Sequence, residues 1–235
     1  MRKAFFFDLD GTLLPLDMDA FTRTYYTLIK KSGFFDMIGE KGEEIFGKGV
    51  GAMLFNDGSQ LNKDAFLETV SAASGKSRQT LLSHMERFYE TEFDKVRDCA
   101  HADPRVAETI RVLKDKGYRL VLTTNPLFPP LATNMRIEWA GLKPDDFEYI
   151  TYYDNSHYCK PNPEYFKEVL NVTGLEAHEC YVVGNDVCDD LSAVALGFKA
   201  FLVLDHVIGD LGKVPECVQG DYSDLLSFAK SLPQI

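Results

Sequence analysis

The chain is short of positive charge. It carries 25 Lys and Arg against 36 Asp and Glu, a formal net charge of -11. Non-specific nucleic-acid binding depends on a basic surface, so the charge argues against that class. Anionic metabolites are mildly repelled at long range, and any that bind must be captured by local positive groups. Long apolar runs are also missing. No stretch approaches the ~20 residues that a membrane span needs. Met1-Arg2-Lys3 leads straight into the first apolar run, which leaves no room for a signal peptide. Cysteine is sparse and scattered, at 99, 159, 180, 188 and 217. None forms a C-x-x-C pair or sits with His at zinc-finger spacing. The pattern reads as reduced thiols of a cytoplasmic protein, with no structural zinc. There is no internal repeat and no low-complexity tract.

What remains is an ordinary globular composition, 45% apolar and 26% charged over 235 residues. That is enough for one large domain, or one domain with an insertion. Residues 16–97 read as helical throughout. Phe21, Tyr25, Leu28 and Ile29 recur at helical spacing up to Ser32-Gly33. Asn62 is placed to cap a helix that stops at Gly75, and Ser77 to cap another with Leu81, Leu82, Met85, Phe88 and Tyr89 on its inner face. Gly47-Lys48-Gly49-Val50-Gly51 lacks the spacing of a phosphate-binding loop and reads as a mobile loop.

After residue 98 the pattern alternates. Asp103-Pro104 opens a helix that ends at Gly117. Strands are expected over 118–123, 149–153, 181–184 and 200–204, and helices over 163–172 and 191–196. Strands alternating with helices through short links predict an α/β fold with a doubly wound parallel sheet. The run Ala4-Phe5-Phe6-Phe7 supplies a further buried strand. The expected organisation is an α/β core from 1–15 and 98–235, with 16–97 inserted as an α-helical cap domain.

The first strand ends in Asp8-Leu9-Asp10-Gly11-Thr12. Two carboxylates that close repel. A hard cation that takes oxygen ligands, such as Mg²⁺, suits the space between them. Three further polar groups are expected at the same sheet edge, where open α/β sheets bind ligands. They are Thr123-Thr124-Asn125, Lys160 in Cys159-Lys160-Pro161-Asn162-Pro163, and the loop Gly184-Asn185-Asp186-Val187-Cys188-Asp189-Asp190.

In that order, the four motifs resemble those of the haloacid dehalogenase superfamily, and the position of the insertion resembles its helical-cap members. The likeness spans the whole core. It implies a Mg²⁺-dependent phosphatase acting on a small phosphorylated metabolite through an aspartyl phosphate. Carried over residue by residue, Asp8 is the nucleophile and a metal ligand. Asp10 is the general acid and then base, and its backbone carbonyl binds the metal. Thr124, Asn125 and Lys160 bind the transferring phosphoryl, with Thr124 and Lys160 in catalytic roles. The acidic loop completes the metal shell. One departure stands out: the family usually has Asp directly after the glycine of the fourth motif, and here that residue is Asn185, followed by Asp186. Either can supply the third ligand, and Asp190 can contribute through water. Asp189 or Asp190 also suits a helix cap.

Other readings stay open at this stage. Dehalogenases of the same fold share the nucleophile but lack an acid at the second Asp, so Asp10 favours phosphoryl chemistry. A phosphomutase of the same cap type, an inactive binding protein and a phospho-accepting receiver are the alternatives. Receivers are about half as long and carry the acceptor Asp on the third strand. Phe21, Tyr25, Phe34 and Phe35 offer either an apolar entrance or core packing, and nothing in 16–97 spells out a substrate or an oligomeric state.

Overall fold

The computed structural model describes residues 3–235. In chain order its elements are β1 (Ala4–Phe7), α1 (Met18–Lys31), α2 (Phe34–Ile38), α3 (Gly42–Leu54), α4 (Asn62–Ser74), α5 (Arg78–Thr91), α6 (Pro104–Asp115), β2 (Arg119–Leu122), α7 (Pro130–Trp139), β3 (Tyr149–Ile150), α8 (Pro163–Thr173), β4 (Cys180–Gly184), β5 (Lys199–Val203), β6 (Val218–Gly220) and α9 (Tyr222–Ser231). The six strands form a single parallel sheet in the order β3-β2-β1-β4-β5-β6. β1 is therefore central. Its triple phenylalanine is explained by burial on both faces. Phe5 and Phe7 join one apolar cluster, Phe6 joins the other with Tyr165 and Phe166 of α8, and all three are fully buried.

Helices α1 to α5 lie between β1 and α6. The chain enters and leaves this helical segment through two adjacent passes. Leu16 bridges Ala100 in antiparallel fashion, Asp17 N donates to Cys99 O at 3.1 Å, and His101 N donates to Pro15 O at 3.0 Å. The glycine-rich run expected to be a loop is instead inside α3. Gly49 serves packing: a Cβ there would lie 2.7 Å from Val70 Cγ2 and 2.8 Å from Phe66 Cδ2 of α4, whereas Gly47 and Gly51 face open space. Close approach of two helices accounts for Gly49.

Other differences are local. Asn62 does not cap α4; Leu61 holds that position, and the buried Asn62 amide bridges Asn56 and the Pro126 carbonyl. The strand expected over 149–153 keeps only two residues, because Asn155 turns the chain by accepting from Tyr152 N at 2.7 Å. Residues Leu191–Leu196 wind as a 3-10 helix and stop at Gly197, which has φ +104°. Helices α7 and α9 carried no expectation. The second is fixed by a capping box between Asp221 and Asp224.

The Asp103 cap gives a stability test. Its carboxylate accepts from Arg105 N at 2.8 Å and pairs with the Arg105 side chain, which holds its pKa below the usual value. A depressed carboxylate pKa contributes stability above the ordinary value and loses it as pH falls through the folded one. Asp103→Ala is expected to cost ~1 kcal/mol at pH 7. By thermal denaturation the gap between variant and parent should narrow as pH falls below the ordinary carboxylate value and the native cap protonates; a gap that stays constant down the pH series would assign the loss to something other than charge.

Candidate active site

The carboxyl ends of β1, β2 and β4 align because Phe7 is in register with both Leu122 and Val183. Asp8 N donates to Val183 O at 2.9 Å, and Thr123 N donates to Phe7 O at 2.7 Å. The ladder thus runs one residue past the strands and fixes the backbone of Asp8. The chain then turns at Gly11, which has φ +85°. A side chain at position 11 would also meet Asn185 Nδ2 at 2.3 Å.

Lys160 stands between two carboxylates. Its ammonium donates to Asp8 Oδ1 at 2.8 Å and to Asp190 Oδ1 at 2.6 Å, and all three residues are buried. Burial works against its charge, but Asp190 and Asp8 more than offset it and hold its pKa well above the usual value. Burial likewise pushes the Asp190 carboxyl up, against the pull of Lys160. The other oxygen of Asp190 accepts from Asp186 N at 2.9 Å. That oxygen lies 2.1 Å from where a Cβ would stand on Gly184, so only glycine leaves room for it.

Asn125 and Asn185 are both occupied. Asn125 Oδ1 accepts from Lys160 N at 2.8 Å, and its Nδ2 donates to Asp189 Oδ2 at 2.9 Å. It ties the lysine loop to the acidic loop. Asn185 Oδ1 accepts from Thr12 Oγ1 at 2.9 Å, and its Nδ2 donates to His206 O at 2.7 Å. Asp186 differs. Its Oδ1 accepts from Cys188 N at 2.7 Å and Asp189 N at 2.9 Å, while Oδ2 carries no such bond. Thr124 is buried beside them; its carbonyl accepts from Thr151 Oγ1 at 2.7 Å and Tyr165 Oη at 2.9 Å, which fixes the end of β2.

A residue that the sequence reading passed over stands next to Asp10. Arg136, on α7, is 1% exposed and ion-paired through Nη1 to Asp10 Oδ2. Its guanidinium packs on the Phe128 ring, 4.4 Å from the centroid, and Nη2 donates to Thr133 Oγ1 at 3.3 Å. The pKa of Asp10 is raised. Burial is the main cause, Arg136 opposes it, and the charge of Asp8 adds to it. Asp10 Oδ1 is buried without a hydrogen-bond partner. The signal for Arg136 was an arginine in register with Ala132 and Thr133, four and three positions back on a helix that buries them too.

These residues line a cleft of about 220 Å³. Asp8, Asp10, Asp186, Asp189 and Asp190 face it against Lys160 alone, with Arg136 committed to Asp10. That imbalance and the hard oxygen donors fit a divalent cation. Among the described residues no three His, Cys, Asp or Glu side chains are placed to hold a metal by themselves. Mg²⁺ is ordinarily held by one or two carboxylates, with water and substrate oxygens completing its shell, so the donor set suits it. Among the described residues no helix is long and apolar enough to cross a membrane.

Comparison with known proteins bears on the family and the fold. Residues 2–197 match the family model of the haloacid dehalogenase-like hydrolases. The chain is 26% identical to a pyrophosphatase, PpaX, of Bacillus pumilus over 224 residues, which cover 94% of this chain and 93% of that one. It is 26% identical to a phosphoglycolate phosphatase of Nitrosospira multiformis over 202 residues, covering 86% and 82%. Among solved structures, a 2-haloacid dehalogenase of Pseudomonas syringae superposes with TM-score 0.63 at 19% identity, covering 97% of this chain and 99% of that one. At that identity the likeness speaks for the fold alone.

Proposed function

The chain belongs to the haloacid dehalogenase-like hydrolases, and we propose that it is a Mg²⁺-dependent phosphatase that cleaves a small phosphate monoester through an aspartyl phosphate on Asp8. The observation that carries the reading is the pair at the end of β1. One oxygen of Asp8 is pinned by Lys160 at 2.8 Å, and the carboxyl two residues on sits where burial favours its protonated form. An attacking group that is fixed and a proton donor beside it are what phosphoryl transfer to a carboxylate requires. The names of the relatives, a pyrophosphatase and a phosphoglycolate phosphatase, support phosphoryl chemistry over dehalogenation.

The steps follow from the chain's own groups. An Asp8 oxygen forms a bond to phosphorus while the bond to the leaving oxygen breaks, and Asp10 gives that oxygen its proton. Asp10, now a base, takes a proton from water as the water oxygen bonds to phosphorus. The bond from phosphorus to Asp8 breaks, and inorganic phosphate is released. Lys160 and Thr124 face the phosphoryl oxygens. Asn125 acts as a tie between loops rather than as a phosphate ligand, and Asn185 as a brace for the Gly11 turn. We assign the third ligand position to Asp186, which keeps a free oxygen, beside Asp8 and the Asp10 carbonyl. When bound there, Mg²⁺ supplies the positive charge that lets an anionic nucleophile approach an anionic ester. Residues 16–97 act as the cap over the core of 1–15 and 98–235, a division supported by the paired passes at 15–17 and 99–101.

Chelation tests the metal. With p-nitrophenyl phosphate, EDTA is expected to lower phosphate release by at least ~100-fold, in line with several kcal/mol of charge stabilisation from a catalytic ion. Added Mg²⁺ restores it. Full activity in EDTA would exclude the metal.

A further inference from the structure

A second cavity, of about 290 Å³, adjoins the catalytic cleft. Met18, Phe21, Leu127 and Phe128 line both. Beyond that shared wall the cavity is bounded by side chains of α1, α3, α4 and α5, among them Tyr25, Phe46, Phe66, Met85 and Tyr89. Its size approaches the ~300 Å³ at the lower end of small-molecule sites. We propose that it receives the leaving group, and that the substrate is therefore the phosphate monoester of an uncharged, apolar alcohol. The inference rests on the phosphatase reading above and goes beyond it to the substrate class.

The charge of the lining decides the class. Among the described residues no Lys, Arg, His, Asp or Glu lines this cavity. The nearest candidates are engaged elsewhere. Arg136 packs on Phe128 but is paired to Asp10, and Lys63 lies over Tyr153 and donates to Asp154 at 3.1 Å. The polar atoms of the wall are neutral hydroxyls. Tyr25 and Tyr89 hydrogen-bond to each other at 3.0 Å, and burial raises the pKa of both. A carboxylate or a second phosphate placed here would lose water and meet no countercharge, which is unfavourable. The leaving groups of phosphoglycolate and pyrophosphate, the substrates in the relatives' names, are both anionic. An alkyl or aryl group gains by leaving water for such a wall.

A homologous series separates the outcomes. Methyl, butyl and hexyl phosphate have alcohols of similar acidity, so differences in kcat/KM report binding of the chain. With Mg²⁺ present, kcat/KM from phosphate release is expected to rise about fourfold per methylene until the cavity fills, which is ~0.8 kcal/mol at 1.36 kcal/mol per tenfold. A terminal carboxylate, as in 5-carboxypentyl phosphate, should cancel the gain. Val50, half-buried on the cavity wall, tests the location: V50W is expected to lower the hexyl-to-methyl ratio at least tenfold. If V50W does not fold, T22W at the exposed edge of the same cavity takes its place. A flat series, a preference for the carboxylate, or an unchanged ratio in the folded variant overturns the inference and leaves the phosphatase standing. No release from any ester in the series, nor from p-nitrophenyl phosphate, overturns the phosphatase reading and this one with it.

Discussion

Asp8→Asn leaves a folded protein that releases no phosphate. The substitution keeps the shape of the side chain and removes its negative charge. An amide oxygen is a poor nucleophile toward phosphorus, and the chain has no other carboxylate held at that place by the β1 ladder. The loss is expected to be ~10⁴-fold or more in kcat, the scale seen when an attacking group is removed from a working site. Stability should change little. Lys160 keeps Asp190 as its partner at 2.6 Å, and the crowding of negative charge around it is eased. Phosphate release under single-turnover conditions, with circular dichroism as the control for folding, decides it. Activity within tenfold of the parent would mean that the nucleophile lies elsewhere.

Arg136→Met produces the second large effect, on stability as well as rate. The guanidinium is almost wholly buried and is the partner of Asp10. Without it neither oxygen of that carboxyl has a hydrogen-bond donor, since Oδ1 already lacks one. Removing one member of a buried pair typically costs ~3–5 kcal/mol. For a chain of this size each kcal/mol lowers Tm by about 2–4 °C, so a fall of roughly 6–20 °C is expected. Neutralising the other member should recover part of it. D10N/R136M is expected to unfold at higher denaturant than R136M, and a double-mutant cycle gives the coupling. The rate is expected to fall ~10²–10⁴-fold, because a general acid out of place is a general acid lost. If R136M unfolds at the parent's midpoint, the pair contributes nothing and Arg136 is only filling space.

How much of this could be read beforehand depends on the range of the signal. The core was legible because its cues are short: a triple-Phe strand, Pro after an N-cap at Asp103, glycines closing helices. The strand ends were legible because a parallel sheet carries its polar residues to one edge. Arg136 was not, since its partner is 126 residues away and nothing within α7 points to that partner. Asn125 and Asn185 were singled out because amides can ligate, and the three-dimensional neighbours that each also ties together could not be read from the sequence. The glycine run in α3 misled for a related reason. Glycine favours loops locally, and at Gly49 packing against Phe66 and Val70 opposes that preference. The aromatic residues of 16–97 showed their number in the sequence but not which of them would border empty space. Phe21 and Tyr25 do, whereas Phe34 and Phe35 are buried without lining that cavity.

Gly184 makes the site brittle in a particular way. With a single hydrogen where other residues carry carbon, it lets an acid lean directly on the floor of the sheet. That acid cannot retreat, so the ammonium it grips cannot retreat either, and the first aspartate inherits the same immobility. A methyl added to one backbone position would thus be felt three side chains away, at the carboxylate proposed to form the bond to phosphorus.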